Sequence, residues 1–313
     1  MIGIRGIGTH LPETRVDLLS RAAEFDSNEA FIRDKSGFVA VRRMAEGEET
    51  SDLAVAAFEA LRAKTGLDPA GVDCLVVVTQ NPDGHGLPHT SAVVHGKLGL
   101  SEGCAAFDVS LGCSGYVYAL SMTRAFMEAN GLSSGVLITA DPYSKVMAEG
   151  DKATRMLFGD GAAATWLTTE PDFEIGAARF GTRGAERAAL EVGADGILRM
   201  NGRGVFAFSA TTTPPFVRDV LEAEGLGLDD LDLILLHQGS RFIVDTIRAK
   251  LGVDADRAPF DAAETGNLVS SSLPFVLARH YETVRDKALL CGFGVGLSWA
   301  AMLLTRCDGE GRA

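Results

Sequence analysis

The stretch Asp73-Cys74-Leu75-Val76-Val77-Val78-Thr79 decides the fold, because its setting occurs twice in the chain. A short apolar run rich in β-branched residues, bounded by polar ones, is the pattern of a strand buried on both faces. Ser51–Lys64 ahead of it has helical spacing, and Gly66-Leu67-Asp68 breaks the helix before the strand begins. Half a chain later the same sequence of events returns. Pro214–Glu224 reads as a helix, Gly227-Leu228-Asp229 as the turn, and Asp232-Leu-Ile-Leu-Leu-His237 as the buried strand. Phe158-Gly-Asp-Gly161 before one late strand is likewise echoed by Phe293-Gly-Val-Gly296 before another. Self-similarity at half the chain length means two copies of one α/β unit rather than a solenoid. The polar segment Thr168–Asp172 is the expected seam, giving halves at 1–168 and 169–313.

Outward from these stretches, apolar runs alternate with amphipathic ones along the whole chain, the mark of α/β layering. The expected strands are 2–7, 74–79, 105–109, 135–139 and 162–167, then 174–180, 231–236, 288–292 and 297–304. The expected helices are 51–65, 114–128, 213–224 and 240–251. Apolar residues at 46% and charged ones at 23% exclude a disordered chain. A formal net charge of −13 argues against a nucleic-acid partner or an anionic membrane surface held by overall charge. No apolar run approaches the roughly 18 uncharged residues a membrane helix requires. The residues from Met1 to Pro12 read as a strand and not as a signal peptide. Five cysteines without a CxxC pair fit neither a disulfide framework nor a zinc site, so free thiols in a cytoplasmic protein are expected.

Cys113 lies in Phe107-Asp-Val-Ser-Leu-Gly-Cys-Ser-Gly-Tyr116, where a strand ends, Gly112 turns the chain and a helix begins at Ser114. A thiol at a helix N-terminus faces unpaired N–H groups and the positive end of the dipole, which lowers its pKa and can hold an oxyanion. Taken alone, Cys113 reads equally well as a nucleophile and as a small packed hydrophobe. His237 closes a buried strand, where open α/β sheets place ligands, although a satisfied structural histidine also fits. Asn267, in Glu264-Thr-Gly-Asn-Leu-Val-Ser-Ser-Ser-Leu-Pro274, reads on its own as a helix cap. Neither Phe293-Gly-Val-Gly-Leu-Ser-Trp299 nor Ile2-Gly-Ile-Arg-Gly-Ile-Gly8 meets the dinucleotide fingerprint, since no helix follows the glycines. No cofactor and no metal are expected.

Cys113, His237 and Asn267 in this order, with Phe158-Gly-Asp-Gly-Ala162, Pro274 and the closing Phe293–Trp299 motif, resemble the thiolase-fold condensing enzymes. The chain is most similar to their 3-oxoacyl-[acyl-carrier-protein] synthase III family. The resemblance implies a five-layered αβαβα sandwich of two duplicated halves, active as a homodimer. It implies that Cys113 takes an acyl group as a thioester from acyl-CoA or an acyl-carrier protein. His237 and Asn267 would then hold the thioester carbonyl of a malonyl-carrier protein while CO2 leaves. The backbone N–H groups of Cys113 and Val295 would form the oxyanion hole. Leu87 and Phe158 would belong to the acyl pocket, with Leu87 in place of an aromatic that the dimer partner inserts at its end. The smaller Leu leaves room there, so a primer longer than acetyl is expected.

The same resemblance assigns Phe31 and Lys152 to the two faces of the adenine of CoA, and Lys35 to its phosphates. Phe31 stands for an indole and Lys152 for an arginine, a weaker clamp because Lys has no planar guanidinium. Arg241, Arg248 and Lys250 supply basic residues on the helix after His237, the expected docking face for an acidic carrier. Two further readings stay open at this point: acyl transfer to an alcohol or amine without decarboxylation, and a non-catalytic partner subunit of a condensing complex.

Overall fold

The structure, a computed structural model, describes residues 1–307 apart from the side chain of Lys152. The first half contributes strands β1 (Gly3–His10), β2 (Thr14–Asp17), β3 (Ala40–Arg43), β4 (Cys74–Val78), β5 (Ala105–Val109), β6 (Ser134–Ala140) and β7 (Ala162–Thr168). Its helices are α1 (Glu29–Phe31), α2 (Thr50–Thr65), α3 (Thr90–Leu98), α4 (Gly115–Asn130) and α5 (Lys152–Arg155). The second half contributes β8 (Phe173–Thr182), β9 (Leu190–Val192), β10 (Leu198–Met200), β11 (Leu233–Leu236), β12 (Lys287–Gly294) and β13 (Ser298–Arg306). Helices α6 (Gly202–Ala223), α7 (Arg241–Leu251) and α8 (Ser272–Arg279) complete it.

Nine strands join in the order β11-β12-β13-β8-β1-β7-β6-β4-β5. The order contains the same unit twice. In β4-β6-β7-β1 and in β11-β12-β13-β8 the first pair is parallel and the other two pairs are antiparallel. The units meet through only two residue pairs, Gly3 with Glu174 and Ile4 with Phe173. The counterpart of β5 is not a regular strand: the segment after α7 touches β11 through a hydrogen bond from Ile234 N to Arg257 O of 2.7 Å.

The aspartates that open the two echoed strands do the same work. Asp73 Oδ2 accepts the backbone N–H groups of Ser133 and Ser134, at the start of β6. Asp232 Oδ2 accepts those of Arg285, Asp286 and Lys287, at the start of β12. Each carboxylate thus clamps its strand to the parallel neighbour. The turn registers differ from the reading of the sequence. Gly66 ends α2 in the left-handed conformation with φ +73°, and its counterpart is Gly225 with φ +69°, not Gly227. Only glycine takes that conformation cheaply, and it sits at the same distance before each aspartate.

Side-chain alternation sets the layers. Val76 and Val78 face the core shared with α4 and α8, whereas Leu75 and Val77 face α2 and α3. Leu233 and Leu235 join the same central core, whereas Ile234 and Leu236 face α6 and α7. The result is a five-layered αβαβα sandwich. Burying each such aliphatic side chain contributes roughly 1.5–3 kcal/mol, and both faces of these strands are buried, which explains their unbroken apolar runs.

Helix α6 starts eleven residues before the position read from the sequence, where Asn201 caps it by accepting Gly204 N–H. Pro214 and Pro215 lie inside it. Pro214 has no N–H for the Ala210 carbonyl, and Lys250 Nζ donates to that carbonyl at 2.9 Å instead. Among the described residues no helix is long and apolar enough to cross a membrane.

Candidate active site

Three strand ends and one turn converge on a cavity of about 700 Å³. Its walls include Cys113, His237 and Asn267, with Phe158, Phe293 and Gly294 beside them. Residues far apart in the chain meet here because both units of the sheet end on the same side.

Cys113 follows β5 and precedes α4, and is 3% exposed. Glycines let the backbone crowd it: a Cβ on Gly294 would lie 2.6 Å from Cys113 Sγ, and one on Gly292 would lie 2.7 Å from Cys113 O. Ser114 Oγ meets Ser298 Oγ at 2.8 Å, and Ser298 Oγ donates to Val295 O at 2.8 Å, pinning the 294–296 turn to the start of α4. The backbone N–H groups of Val295 and of Cys113 itself interact with the sulfur. The sequence implied a depressed thiol pKa at a helix N-terminus. The structure reverses that: burial pushes the Cys113 thiol up to about 12, and the two N–H groups only partly oppose it. Cys113 belongs to an apolar cluster with Tyr143, Met147, Phe158 and Val269.

His237 follows β11 and is 2% exposed. Its ring meets Phe293 edge-on at a centroid distance of 5.6 Å. Burial lowers its pKa to about 3, so the imidazole is neutral at ordinary pH. Nδ1 is buried with no partner. A buried orphan N–H is costlier than an orphan lone pair, so the proton sits on Nε2, the nitrogen left to face the cavity.

Asn267 stands in the turn before α8 and is 5% exposed. Its own N–H donates to Leu157 O at 2.8 Å, and its carbonyl accepts Gly159 N–H at 3.0 Å. These bonds explain the Phe158-Gly159 motif: a Cβ on Gly159 would overlap Thr265 O at 1.9 Å. Asn267 Oδ1 accepts Val269 N–H at 2.9 Å. Because a backbone N–H can only donate, the amide orientation is fixed and Nδ2 is free to donate.

At the mouth, Phe31 and Lys35 line the cavity, as do Phe206 and Phe242, whose rings stack at 5.0 Å. Lys35 Nζ caps the Phe242 ring at 3.9 Å. Arg203 also lines the mouth, exposed and without an ion pair or hydrogen bond among the described residues; the reading of the sequence passed over it. Its signal was the helix-start pair Asn201-Gly202 ahead of it. Lys152 belongs to α5, and its side chain lies outside the described residues.

The three cations of α7 do not form one open basic face. Arg248 pairs with Asp245 at 2.9 Å, Lys250 serves the Ala210 carbonyl, and the Arg241 guanidinium lies over Phe260 at 4.6 Å. None of them lines the cavity. Leu87, on the loop between β4 and α3, is 93% exposed and does not line the cavity of its own chain. Among the described residues no group of acidic, histidine and cysteine side chains is arranged to hold a metal ion.

Residues 107–184 match the family model 3-oxoacyl-[acyl-carrier-protein (ACP)] synthase III, and residues 221–306 match the model for its C-terminal part. A beta-ketoacyl-[acyl-carrier-protein] synthase III of Rhodospirillum rubrum is 34% identical, over 96% of this chain and 98% of that protein. The solved structure of a 3-oxoacyl-(acyl carrier protein) synthase III from Pseudomonas aeruginosa is similar, with 31% identity, 98% of each chain covered and a TM-score of 0.89. That of Aquifex aeolicus gives 27% identity and a TM-score of 0.91, over 97% of this chain and all of the other.

Proposed function

Because this chain belongs to the 3-oxoacyl-[acyl-carrier-protein] synthase III family, we propose that Cys113 carries the acyl group and that His237 and Asn267 serve decarboxylation. The chain is an acyltransferase that joins an acyl primer to a malonyl unit borne on a carrier protein, with loss of CO2. The observation that carries the residue assignment is the opening of all three side chains on one cavity.

In the first half-reaction the Cys113 sulfur attacks the donor thioester carbonyl. The N–H groups of Cys113 and Val295 hold the oxyanion. Its collapse breaks the bond to the donor sulfur, and the proton of the Cys113 thiol ends on the departing thiol. In the second, the malonyl thioester oxygen accepts hydrogen bonds from His237 Nε2 and Asn267 Nδ2. The bond to the carboxylate breaks, CO2 leaves, and the electron pair becomes an enolate. Its carbon attacks the acyl carbonyl on Cys113, the bond to the sulfur breaks and the 3-oxoacyl carrier product departs; the thiolate left behind takes a proton from water to restore the thiol. A neutral imidazole suits this step, since it donates a hydrogen bond without protonating the carbanion. One donor of this kind contributes about 2.7–4 kcal/mol to the transition state.

The mouth residues Phe31, Lys35 and Arg203 would receive the arm of the acyl donor, with Lys152 in support. The pairing of Arg248 and Lys250 argues against a large role for either in carrier docking. We further take the protein to be a cytoplasmic homodimer with halves at 1–168 and 169–313. Support for the dimer comes from β5, whose outer edge pairs with no strand among the described residues, and from the exposed Leu87, Met122 and Phe180. The test of the acyl-carrier role is intact-protein mass measurement with acyl donors. A mass gain absent from Cys113→Ala supports it, and an equal gain in both proteins refutes it.

A further inference from the structure

Val269 holds a backbone conformation that its side chain disfavours, two residues after Asn267. Two non-glycine residues among those described have a positive φ: Asp26 at +45°, in an exposed turn, and Val269 at +52°, wholly buried. Aspartate tolerates this left-handed region because its short polar side chain can bond locally, whereas a β-branched side chain is crowded there by its own backbone. Gly266, three residues earlier, takes φ +77° without that cost. A glycine at 269 would do the same. A valine in its place is strained, and such strain persists where the surroundings over-determine it and the side chain is used.

Both ends of the residue have a use. Its N–H donates to Asn267 Oδ1 at 2.9 Å. With that bond in place, φ decides where the side chain and the following backbone go. At a helical φ the chain would run directly into a helix capped by Asn267, as the sequence alone suggests. At +52° it leaves that path, a turn over Val269–Ser271 intervenes, and α8 starts only at Ser272. The Val269 side chain joins the apolar cluster that contains Cys113, Tyr143 and Phe158.

Two serines clamp the turn. Ser271 N–H donates to Leu268 O at 2.9 Å, and Ser271 Oγ lies 3.0 Å from Thr139 O and 3.2 Å from Gly161 O, near the end of β6 and before β7. Ser272 N–H donates to Val269 O, and Ser272 Oγ reaches Asn267 Oδ1 at 3.4 Å. The strained residue is thus held at its N–H, its carbonyl and its side chain.

We infer that Val269 is a positioning residue for condensation: its backbone fixes the Asn267 amide for the malonyl thioester, and its buried side chain ties that fixture to the cluster that carries Cys113. The inference rests on the condensing reading above. A residue that merely filled the core would act on the whole site, whereas Val269 acts through Asn267.

The test is a double-mutant cycle on condensation, read as 3-oxoacyl carrier formed per acylated enzyme. Val269→Gly removes the side chain and frees the backbone, and should lower the rate by roughly tenfold to a hundredfold in the wild-type background. In Asn267→Ala, which has no amide left to position, the same substitution should change the residual rate by less than about threefold. Equal losses in the two backgrounds would overturn the inference, as would Val269→Gly condensing at the wild-type rate. If Val269→Gly does not fold, Val269→Ala decides by the same comparison. A wild type that takes up the acyl group but forms no 3-oxoacyl product would instead overturn the condensing reading, and this inference with it.

Discussion

Asn267 Oδ1 accepts the backbone N–H of Val269 at 2.9 Å, so the side-chain amide is locked with its NH2 group free to donate. Asn267→Asp keeps the acceptor and deletes the donor. Condensation should fall by roughly a hundredfold to a thousandfold, the cost of one lost donor to a developing oxyanion. Acyl loading of Cys113 should be unchanged. Separate assays of loading and of 3-oxoacyl product read the two effects, and a parallel loss of both would contradict the division of labour.

Gly294 touches the nucleophile directly. An added Cβ would come within 2.6 Å of Cys113 Sγ, closer than real contacts allow. Gly294→Ala should therefore reduce Cys113 loading at least about a hundredfold by misplacing the sulfur, with little change in circular dichroism. Loading at the wild-type rate would show that the turn can yield.

The Cys113 thiol, pushed up to about 12 by burial, is protonated in the resting protein. Its alkylation by iodoacetamide should be slow at neutral pH and should climb steadily from pH 7 to 10. A rate that levels off near neutrality would mean that the backbone N–H groups outweigh burial.

His237 and Asp141 make opposite contributions to stability. Burial lowers the His237 pKa from 6.5 to about 3. Below pH 6.5 the unfolded chain binds a proton that the folded chain refuses, so this group costs stability as pH falls, about 2 kcal/mol by pH 5. Burial raises the Asp141 pKa from 3.8 to about 7. Between those values the folded chain keeps a proton that the unfolded chain has released, so this group costs stability as pH rises. Urea unfolding should show Asp141→Asn gaining on the wild type from pH 4 to 8, by on the order of 4 kcal/mol. His237→Gln should gain on it in the opposite direction, from pH 6.5 to 5. Differences that do not change with pH would contradict both assignments.

Arg203 is an exposed cation at the mouth with no ion pair or hydrogen bond among the described residues. Arg203→Glu should raise the apparent KM for an acyl carrier by about two- to fivefold, the size of an exposed ion pair. Arg248→Glu, whose parent is already paired with Asp245, should change it less. The reverse ranking would restore α7 as the docking face.

Much of this was legible in the chain. The Asp73 and Asp232 strands announce the duplication because a clamped, doubly buried strand needs the same residue types each time. The turn around Cys113 and the Gly-Asn pair at 266–267 are likewise visible as local chemistry. What the sequence hides are pairings between distant segments. Lys250 looks free until Pro214 is seen to leave the Ala210 carbonyl open, and Arg248 looks free until Asp245 turns towards it. The burial that raises the Cys113 pKa is a property of the packed chain, in which Cys113 clusters with Tyr143, Met147, Phe158 and Val269 from three other segments.

The central claim is that the acyl group on Cys113 is consumed by decarboxylative condensation at His237 and Asn267. The direct measurement is a chase: load Cys113 with an acyl group, add malonyl carrier, and follow protein mass and product together. The account predicts that the adduct disappears in step with CO2 release and the appearance of 3-oxoacyl carrier, and that Asn267→Asp loads normally but keeps its adduct. An adduct indifferent to the malonyl carrier and discharged only by an alcohol or amine would contradict it.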